Sequence, residues 1–313
     1  MARRRTILDC DPGQDDAVNL LLAMASAETL DIAGITTVAG NVPRDLAQRN
    51  ARIICDLAGR RDIPVFAGAA APLVCDLVTA EHVHGGTGLD GMEIVDPATP
   101  LQDADAADFI VETLRAAPDP GVTLVPTGPL TNIAHALDRA PDIVAKIESI
   151  ALMGGALREG GNYTPSAEFN IYVDPHAAQK VLSCGRPIAM FGLDVTHKVL
   201  ASSERVRRIA EIGTPVARAV AGMLGYFGRF DSAKYGVDGA PLHDPCTVVW
   251  LLAPDLFRLK PCHVAVETDS SLTRGHTAVD FWGVTGKTPN VDWAWDVDAT
   301  GFYDLLTESL SRL

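Results

Sequence analysis

The chain has 313 residues, of which 47% are hydrophobic and 21% are charged. This is the composition of a globular protein, and it excludes a disordered chain. Lys and Arg number 26 against 40 Asp and Glu, and the resulting net charge of −14 would repel DNA or RNA. We therefore expect a cation or a neutral molecule as ligand, and no nucleic acid partner.

The cellular setting is inferred from cysteines and apolar segments. The six cysteines are scattered and include no CxxC pair, which favours buried thiols in a reducing compartment. The start, MARRRTILD, runs directly into a strand-like segment without the apolar region of a signal peptide. The sequence has no stretch of about 18 apolar residues that would predict a membrane span. We therefore expect a cytoplasmic protein with no membrane partner. Without repeats or linker-like segments, residues 1–313 are predicted to form a single domain.

Short apolar segments that end in Gly, Asn or Asp alternate with segments of helical periodicity. The predicted strands of this alternating region are Thr6–Asp9, Leu30–Val38, Val122–Pro126, Ile147–Met153 and Pro187–Leu193. Helices are predicted over Asp16–Ser26, from Pro43 onward and from Leu130 onward. Alternating apolar residues between Cys262 and Gly283 predict antiparallel strands. The predicted fold class is α/β, an open, mostly parallel sheet with helices on both faces and an antiparallel extension.

Polar residues follow several of these strands. They are Asp9, Asp11, Asn41, Thr127, the segment Met153-Gly154-Gly155, and Asp194. Ligands of parallel α/β sheets bind outside the carboxyl ends of the strands, so we expect these residues to lie around a binding site. The polar, Gly-rich segment Thr79–Glu93 predicts an active-site loop.

Four carboxylates crowd the first strand-to-helix junction, in the segment DCDPGQDDA. They are Asp9, Asp11, Asp15 and Asp16, and Pro12-Gly13 between them predicts a sharp turn. Like charges at this spacing need a positive partner, and oxygen ligands favour calcium or magnesium. An acidic helix N-terminus would explain Asp15 and Asp16 alone, which leaves Asp9 and Asp11 unexplained. Asp9 is predicted to orient the cluster by hydrogen bonds.

Other site chemistries fit the sequence less well. A phosphate cradle would need GxGxxG or GxxxxGK[ST], and neither occurs here. The DxD pattern is also typical of phosphatases with an Asp nucleophile, although a basic residue to grip the phosphate is not evident. The pair His82 and His84 lacks the HExxH or Cys context of a zinc site.

The chain resembles the inosine–uridine preferring nucleoside hydrolases, whose signature D-x-D-P-G-x-D-D-A is similar to DCDPGQDDA. Seven further motifs follow in the family's order, namely TTVAGN at Thr36–Asn41, HVHG at His82–Gly85, VPTGPLTN at Val125–Asn132, LMGG at Leu152–Gly155, AEFN at Ala167–Asn170, GLDVTH at Gly192–His197 and LHDP at Leu242–Pro245. The resemblance implies a nucleoside hydrolase-like fold, a bound Ca²⁺ ion and a homotetramer or homodimer. It also implies hydrolysis of the N-glycosidic bond of inosine, uridine or cytidine in nucleoside salvage.

The resemblance also implies roles for individual residues. The implied metal ligands are Asp11, Asp16, Asp244 and Thr127, the last through its backbone carbonyl. The implied substrate-binding residues are Asp15, Asn41, His84, Met153, Asn162, Glu168, Asn170 and Asp244. Of these, Met153 would lie beneath the ribose, and His84 would line the base side together with His243.

The chemistry expected of such a site has two proton transfers. Asp11 is the implied general base towards a water held by the ion, and His243 is the candidate general acid, with a pKa suited to neutral pH. Carboxylates and amide oxygens would stabilise an oxocarbenium-like transition state. A calcium-dependent nucleoside- or pentose-binding protein without turnover is the alternative. The segment Tyr226–Leu242, with Phe230 and Lys234, aligns with the family only after a one-residue shift. The sequence therefore leaves purine or pyrimidine preference open.

Overall fold

The computed structural model describes residues 3–236 and 238–313. For residues 230–235 it describes the backbone and not the side chains. Its ten strands form one sheet. In chain order they are β1 Arg4–Cys10, β2 Leu30–Thr37, β3 Val65–Ala67, β4 Leu101–Gln102, β5 Val122–Pro126, β6 Ile147–Met153, β7 Ile188–Phe191, β8 Phe257–Val266, β9 Thr277–Asp280 and β10 Val291–Val297.

Within the described residues, twelve α-helices and two short 3-10 helices accompany the sheet. The α-helices are α1 Gln14–Ala25, α2 Arg44–Leu57, α3 Glu81–His84, α4 Ala106–Ala116, α5 Thr131–Arg139, α6 Phe169–Val173, α7 Pro175–Leu182, α8 Leu193–Thr196, α9 Ser203–Ala210, α10 Pro215–Tyr235, α11 Pro245–Leu252 and α12 Ala299–Leu310. The 3-10 helices are Pro141–Lys146 and Pro254–Leu256. None of these described helices has both the length and the apolar character of a membrane-crossing segment.

The strand order is β4-β3-β2-β1-β5-β6-β7-β10-β8-β9. The strands from β4 to β7 pair in parallel, and β10 pairs parallel with β7 but antiparallel with β8. The β8–β9 pair is also antiparallel. This sheet confirms the predicted fold class. The strand order reverses at β1, between β2 and β5, which is where open α/β sheets place their ligands.

Alternation along β1 explains why both faces of the sheet are covered. Leu8 and Cys10 belong to the apolar cluster formed with α1, α2, α10, α11 and α12. Ile7 is the neighbour of Leu8 in β1, and it belongs to the cluster formed with α4, α5 and α7. Successive strand side chains point to opposite faces, so a strand that is apolar at consecutive positions must be covered on both sides.

The predicted elements are present, with shifted ends. Helix α1 begins at Gln14, two residues before the predicted start, because the Asp16 side chain accepts the backbone N–H of the N-cap residue Gly13 at 3.1 Å. The segment Thr79–Glu93 is not loop alone, since it contains α3. Strands β3, β4 and β10 were not anticipated; β3 and β4 span only three and two residues, too few to show a periodicity.

Candidate active site

A cavity of about 280 Å³ lies at the carboxyl ends of β1, β2, β5 and β6. Ten of the residues predicted for the site line it, namely Asp15, Asn41, His84, Thr127, Met153, Asn162, Glu168, Asn170, His243 and Asp244. The other two, Asp11 and Asp16, are fully buried and contact the lining residues Asn41 and Thr127. The structure therefore brings the predicted site residues together.

Asp11 occupies a tight space between backbone segments. Its Oδ2 accepts the backbone N–H of Asn41 at 2.7 Å. A Cβ atom at Gly128 would lie 2.5 Å from Asp11 Oδ1, and one at Gly40 would overlap Asp11 Oδ2. Glycine at both positions therefore makes room for the carboxylate. Asp11 Oδ1 is buried without a hydrogen-bond partner among the described residues, so it is available to a ligand.

Asp16 is held by three hydrogen bonds from three parts of the chain. Its Oδ1 accepts the Thr127 hydroxyl at 2.7 Å. Its Oδ2 accepts the backbone N–H of Gly13 at 3.1 Å and the Asn41 side-chain amide at 3.2 Å. The carboxylate thus links the starts of α1 and of the loops that follow β2 and β5.

Asp15, Asp16 and Asp244 offer oxygen atoms that lie within 4.8 Å of one another, and all three residues are buried. Burial raises the pKa of Asp15 to about 8 and that of Asp16 to about 6, and the neighbouring carboxylates add to the shift of Asp15. Burial, followed by carboxylate repulsion, also raises the pKa values of Asp11 and Asp244 well above the usual range. A cation would reverse this cost.

These residues fit a hard divalent cation. Asp15 Oδ1 is buried without a hydrogen-bond partner among the described residues, as is Asp11 Oδ1. Buried unpaired carboxylate oxygens are costly unless they coordinate a metal, and an all-oxygen donor set suits calcium or magnesium. Asp9 differs from this set because its Oδ1 accepts the Thr36 hydroxyl at 2.6 Å and the Asn132 amide at 2.8 Å. Its Oδ2 is also buried without a hydrogen-bond partner among the described residues.

Glu168 and Asn170, which also line the cavity, are tied to the backbone. Glu168 caps α6 and accepts backbone N–H groups of Asn170 at 2.9 Å, Gly155 at 3.0 Å and Ile171 at 3.2 Å. Asn170 donates its side-chain amide to the Thr127 carbonyl at 2.7 Å. That carbonyl oxygen has a second lone pair, so the contact leaves it able to bind a metal.

His84 and His243 also line the cavity. The His84 ring stacks on Phe227, with ring centroids 5.3 Å apart. His243 Nδ1 lies 2.8 Å from the Thr196 hydroxyl. Burial lowers the pKa of both histidines to about 3. The expectation of a near-neutral pKa for His243 is therefore wrong: although partly exposed to the cavity, the ring is surrounded by atoms that solvate a charge poorly.

Several residues require comment beyond the predicted set. Tyr163 and Phe169 also line the cavity, and the sequence analysis missed both. The one signal in the sequence was that Phe169 stands between Glu168 and Asn170.

Asp194 lies outside the cavity lining. It accepts the backbone N–H groups of residues 157 and 158 at 2.7 and 2.8 Å, which is a structural role. The sequence left purine or pyrimidine preference open at the segment that contains Phe230 and Lys234. The side chains of these two residues lie outside the described part of the structure.

Comparison with known proteins shows the class of protein to which this fold and site belong. The family model of the inosine-uridine preferring nucleoside hydrolases matches residues 6–304. The chain belongs to this family, which confirms the resemblance seen in the sequence, and the protein is a hydrolase of the N-glycosidic bond of ribonucleosides.

Individual relatives match along nearly their whole length. The chain is 47% identical to a pyrimidine-specific ribonucleoside hydrolase RihA of Citrobacter koseri, covering 97% of both chains. It is 50% identical to the protein of the same name from a Shewanella species, covering 98% of this chain and 96% of the relative. Among solved structures, the purine-preferring ribonucleoside hydrolase of Gardnerella vaginalis superposes with a TM-score of 0.91 at 32% identity, covering 98% of both chains.

Proposed function

We propose that the protein is a calcium-dependent hydrolase with a preference for pyrimidine ribonucleosides such as uridine and cytidine. The observation that carries the proposal is the set of buried carboxylates beside a cavity, at the point where the strand order reverses. Among the described residues, Asp11 Oδ1 and Asp15 Oδ1 of this set have no hydrogen-bond partner. The relatives named pyrimidine-specific are 47% and 50% identical to the chain, and the purine-preferring structure is 32% identical. This difference favours a pyrimidine as the leaving base.

The metal would be held by Asp11, Asp16, Asp244 and the backbone carbonyl of Thr127. A bound calcium ion supplies positive charge that holds the attacking water and the ribose hydroxyls together and makes the water more acidic. Hydrogen bonds keep Asp16 in place before the ion binds. Gly128, which has no Cβ atom, leaves room for the Asp11 carboxylate. Magnesium, which keeps more of its waters, is the less suitable cation for a set of protein oxygens.

Asp11 is the proposed general base. One of its oxygens is engaged by the Asn41 N–H and the other is unpaired. The unpaired Oδ1 accepts the proton of the attacking water, while the oxygen held by Asn41 keeps the carboxylate oriented. The water oxygen bonds to C1′ as the bond from C1′ to the base nitrogen breaks.

The sugar is proposed to contact both sides of the cavity. Asp15, with its unpaired oxygen, and Asn41 bind ribose hydroxyls from one side, while Asn162, Glu168 and Asn170 approach from the other, with Met153 beneath the ring. Positive charge develops on the ribose as the glycosidic bond breaks. Carboxylates fixed around the ring before the reaction stabilise that charge without reorganisation.

His243 is the proposed hydrogen donor to the leaving base. The Thr196 hydroxyl is fully buried and has the His243 Nδ1 as its partner at 2.8 Å. When this hydroxyl donates to Nδ1, the proton of the neutral imidazole is on Nε2. The ring then presents an N–H to the base as negative charge develops there.

A direct assay tests the proposal. Release of free base and ribose is measured with uridine, cytidine and inosine, with calcium and after chelation followed by calcium or magnesium. We expect the highest kcat/KM for a pyrimidine nucleoside and recovery of activity with calcium. A higher kcat/KM for inosine overturns the pyrimidine preference, and full activity in the chelated protein overturns the metal requirement.

The cellular role is proposed from the resemblance. We propose that the enzyme works in nucleoside salvage in the cytoplasm, as a homotetramer or homodimer. Light scattering of the purified chain measures the assembly; a monomer at working concentration would contradict this part. Growth of a deletion strain on uridine as the only source of pyrimidine tests the salvage role.

A further inference from the structure

Gln14 occupies the undefined position of the signature D-x-D-P-G-x-D-D-A, and its side chain is fully buried. The side chain reaches across the fold to the segment that carries His84. Its Nε2 donates to the backbone carbonyls of His84 at 2.8 Å and Asp90 at 3.2 Å. Its Oε1 lies 2.7 Å from His84 Nδ1. One amide group therefore holds both the backbone and the ring of His84.

These contacts determine which ring nitrogen of His84 carries the proton. An amide assigned the other way round would place its oxygen against two carbonyl oxygens, which have no hydrogen to donate. The amide nitrogen must therefore face the carbonyls of His84 and Asp90, and the amide oxygen must face the ring. Because that oxygen is only an acceptor, His84 Nδ1 has to be the donor. The neutral ring then has an unprotonated Nε2.

Of the two ring nitrogens, the position of the ring leaves Nε2 for a ligand. One face stacks on Phe227. The Nδ1 edge packs against Gly13, where a Cβ atom would lie 2.6 Å from His84 Cε1. His84 lines the cavity, and within the described part of the chain its Nε2 makes no hydrogen bond. Burial lowers the pKa of His84 to about 3, so the ring stays neutral at physiological pH.

We propose that Gln14 is a positioning residue that fixes His84 as the Nδ1–H tautomer, so that His84 Nε2 accepts a hydrogen bond from an N–H group of the nucleobase, as N3–H of uracil offers. This inference rests on the proposed function and deepens it. The two histidines of the base side then have opposite polarity, since His84 accepts and His243 donates. In this tautomer His84 has no proton on Nε2 to give to the leaving base.

The tautomer is measured without turnover, by nitrogen-15 NMR of the calcium-loaded protein labelled at histidine. The His84 signals are assigned from their loss in His84→Gln. We expect the shift of a protonated Nδ1 and an unprotonated Nε2 in the wild type. A protonated Nε2 would overturn the proposal even if every other result agreed. Because this readout needs no substrate, it is independent of whether any nucleoside is hydrolysed.

Two variants separate the tautomer from the structural contacts of Gln14. Gln14→Met removes both the acceptor for Nδ1–H and the donors to the two carbonyls. Gln14→Glu keeps the acceptor but removes the amide N–H donors. We expect Gln14→Met to lose the preference for the Nδ1–H form and Gln14→Glu to retain it. Equal tautomer spectra in all three proteins would show that Gln14 does not set the proton position.

The link to the base is tested by the ratio of kcat/KM for uridine to that for 3-methyluridine, which lacks N3–H. We expect this ratio to fall about tenfold in Gln14→Met, the value of one lost hydrogen bond of about 1.4 kcal/mol, and to stay near the wild-type value in Gln14→Glu. An unchanged ratio in Gln14→Met would refute base recognition by His84. If Gln14→Met does not fold, the wild-type tautomer and the ratio in Gln14→Glu decide.

Discussion

Two parts of the site around the cavity are built in different ways. The carboxylate wall consists of Asp11, Asp15, Asp16 and Asp244, and the histidine wall consists of His84, His243 and Phe227. On the carboxylate wall, Asp11 and Asp16 each accept a backbone N–H group, and Asp16 also accepts the Thr127 hydroxyl and the Asn41 side-chain amide. On the histidine wall, by contrast, Gln14 and Thr196 contact the rings through their side chains.

We propose that this difference separates the reaction from the choice of base. Residues at strand ends hold their positions because the sheet is rigid, which suits the metal and the ribose that every nucleoside shares. Residues on the histidine wall come from α3, α10 and the loop that precedes α11, all of which lie outside the sheet. Substitutions on the carboxylate wall should therefore affect all substrates equally, and those on the histidine wall should depend on the base.

The largest effect is expected for Asp11→Asn. The substitution removes the proposed general base and one metal charge, and we expect kcat to fall by about 10⁴-fold or more on every nucleoside. Asp96→Asn is the control, because Asp96 is exposed and its ion pair among the described residues is with Arg49 at the surface. A rate near that of the wild type would exclude Asp11 as the base, and a loss confined to one nucleoside would break the separation of the two walls.

A smaller and base-dependent effect is expected for His243→Ala. Removal of the proposed hydrogen donor should lower kcat for uridine by about 10²–10⁴-fold. p-Nitrophenyl riboside, whose leaving group departs without a proton, should be affected much less. Steady-state kinetics on both substrates provides the comparison. An equal loss on both would assign His243 to binding rather than to leaving-group activation.

Thr127→Val probes the support of the carboxylate wall. The variant keeps the backbone carbonyl but loses the hydroxyl that donates to Asp16 at 2.7 Å. Loss of a hydrogen bond to a ligand carboxylate should weaken calcium binding by about 10–100-fold, measured by calorimetry on the chelated protein. Thr123→Val, a buried strand residue whose hydroxyl faces Ser149, is the control. Unchanged calcium affinity in Thr127→Val would remove Asp16 from the ligand set.

The smallest expected effect is a shift in melting temperature with pH. Burial raises the pKa of Asp16 to about 6 and that of Asp15 to about 8. A raised pKa in the folded state favours folding at low pH, and this contribution is lost as pH rises through the folded value. The chelated protein should therefore lose stability between about pH 4 and pH 8.

Calcium should counteract that loss, because it binds the ionised carboxylates and displaces their protons. The increase in melting temperature caused by calcium should therefore grow from pH 6 to pH 8. Differential scanning calorimetry with and without chelator measures it. An increase that is the same at both pH values would mean that these carboxylates do not bind the ion.

Most of the carboxylate wall was predictable because its information is local. Asp11, Asp15 and Asp16 stand within six residues of one another at a strand-to-helix junction, a pattern that a sequence displays directly. Asn41 and Thr127 follow strands that the apolar segments predict, and the rule for parallel sheets then places them at the same edge. Only Asp244, distant in the chain, needed the family resemblance.

The histidine wall was less predictable. His84 and His243 were candidates, but the pKa of His243 was expected near neutrality and burial lowers it to about 3. Tyr163 lies in a loop and Phe169 begins the five-residue helix α6. Both were missed, because segments this short show no periodicity that distinguishes cavity from core. Asp194 was indistinguishable from a site residue until its contacts with backbone N–H groups were seen.

By itself, the amino-acid sequence determined the alternation of strands and helices, the parallel sheet and the acidic junction after β1, because periodicity and turn residues act over a few neighbours. The tertiary structure alone decided which partner each buried polar group meets. Gln14 meets His84 across 70 residues, Thr196 meets His243 across 47, and Asn132 meets Asp9 across 123. Protonation depends on burial and on these distant partners, so the proton positions of the site follow only from the folded chain.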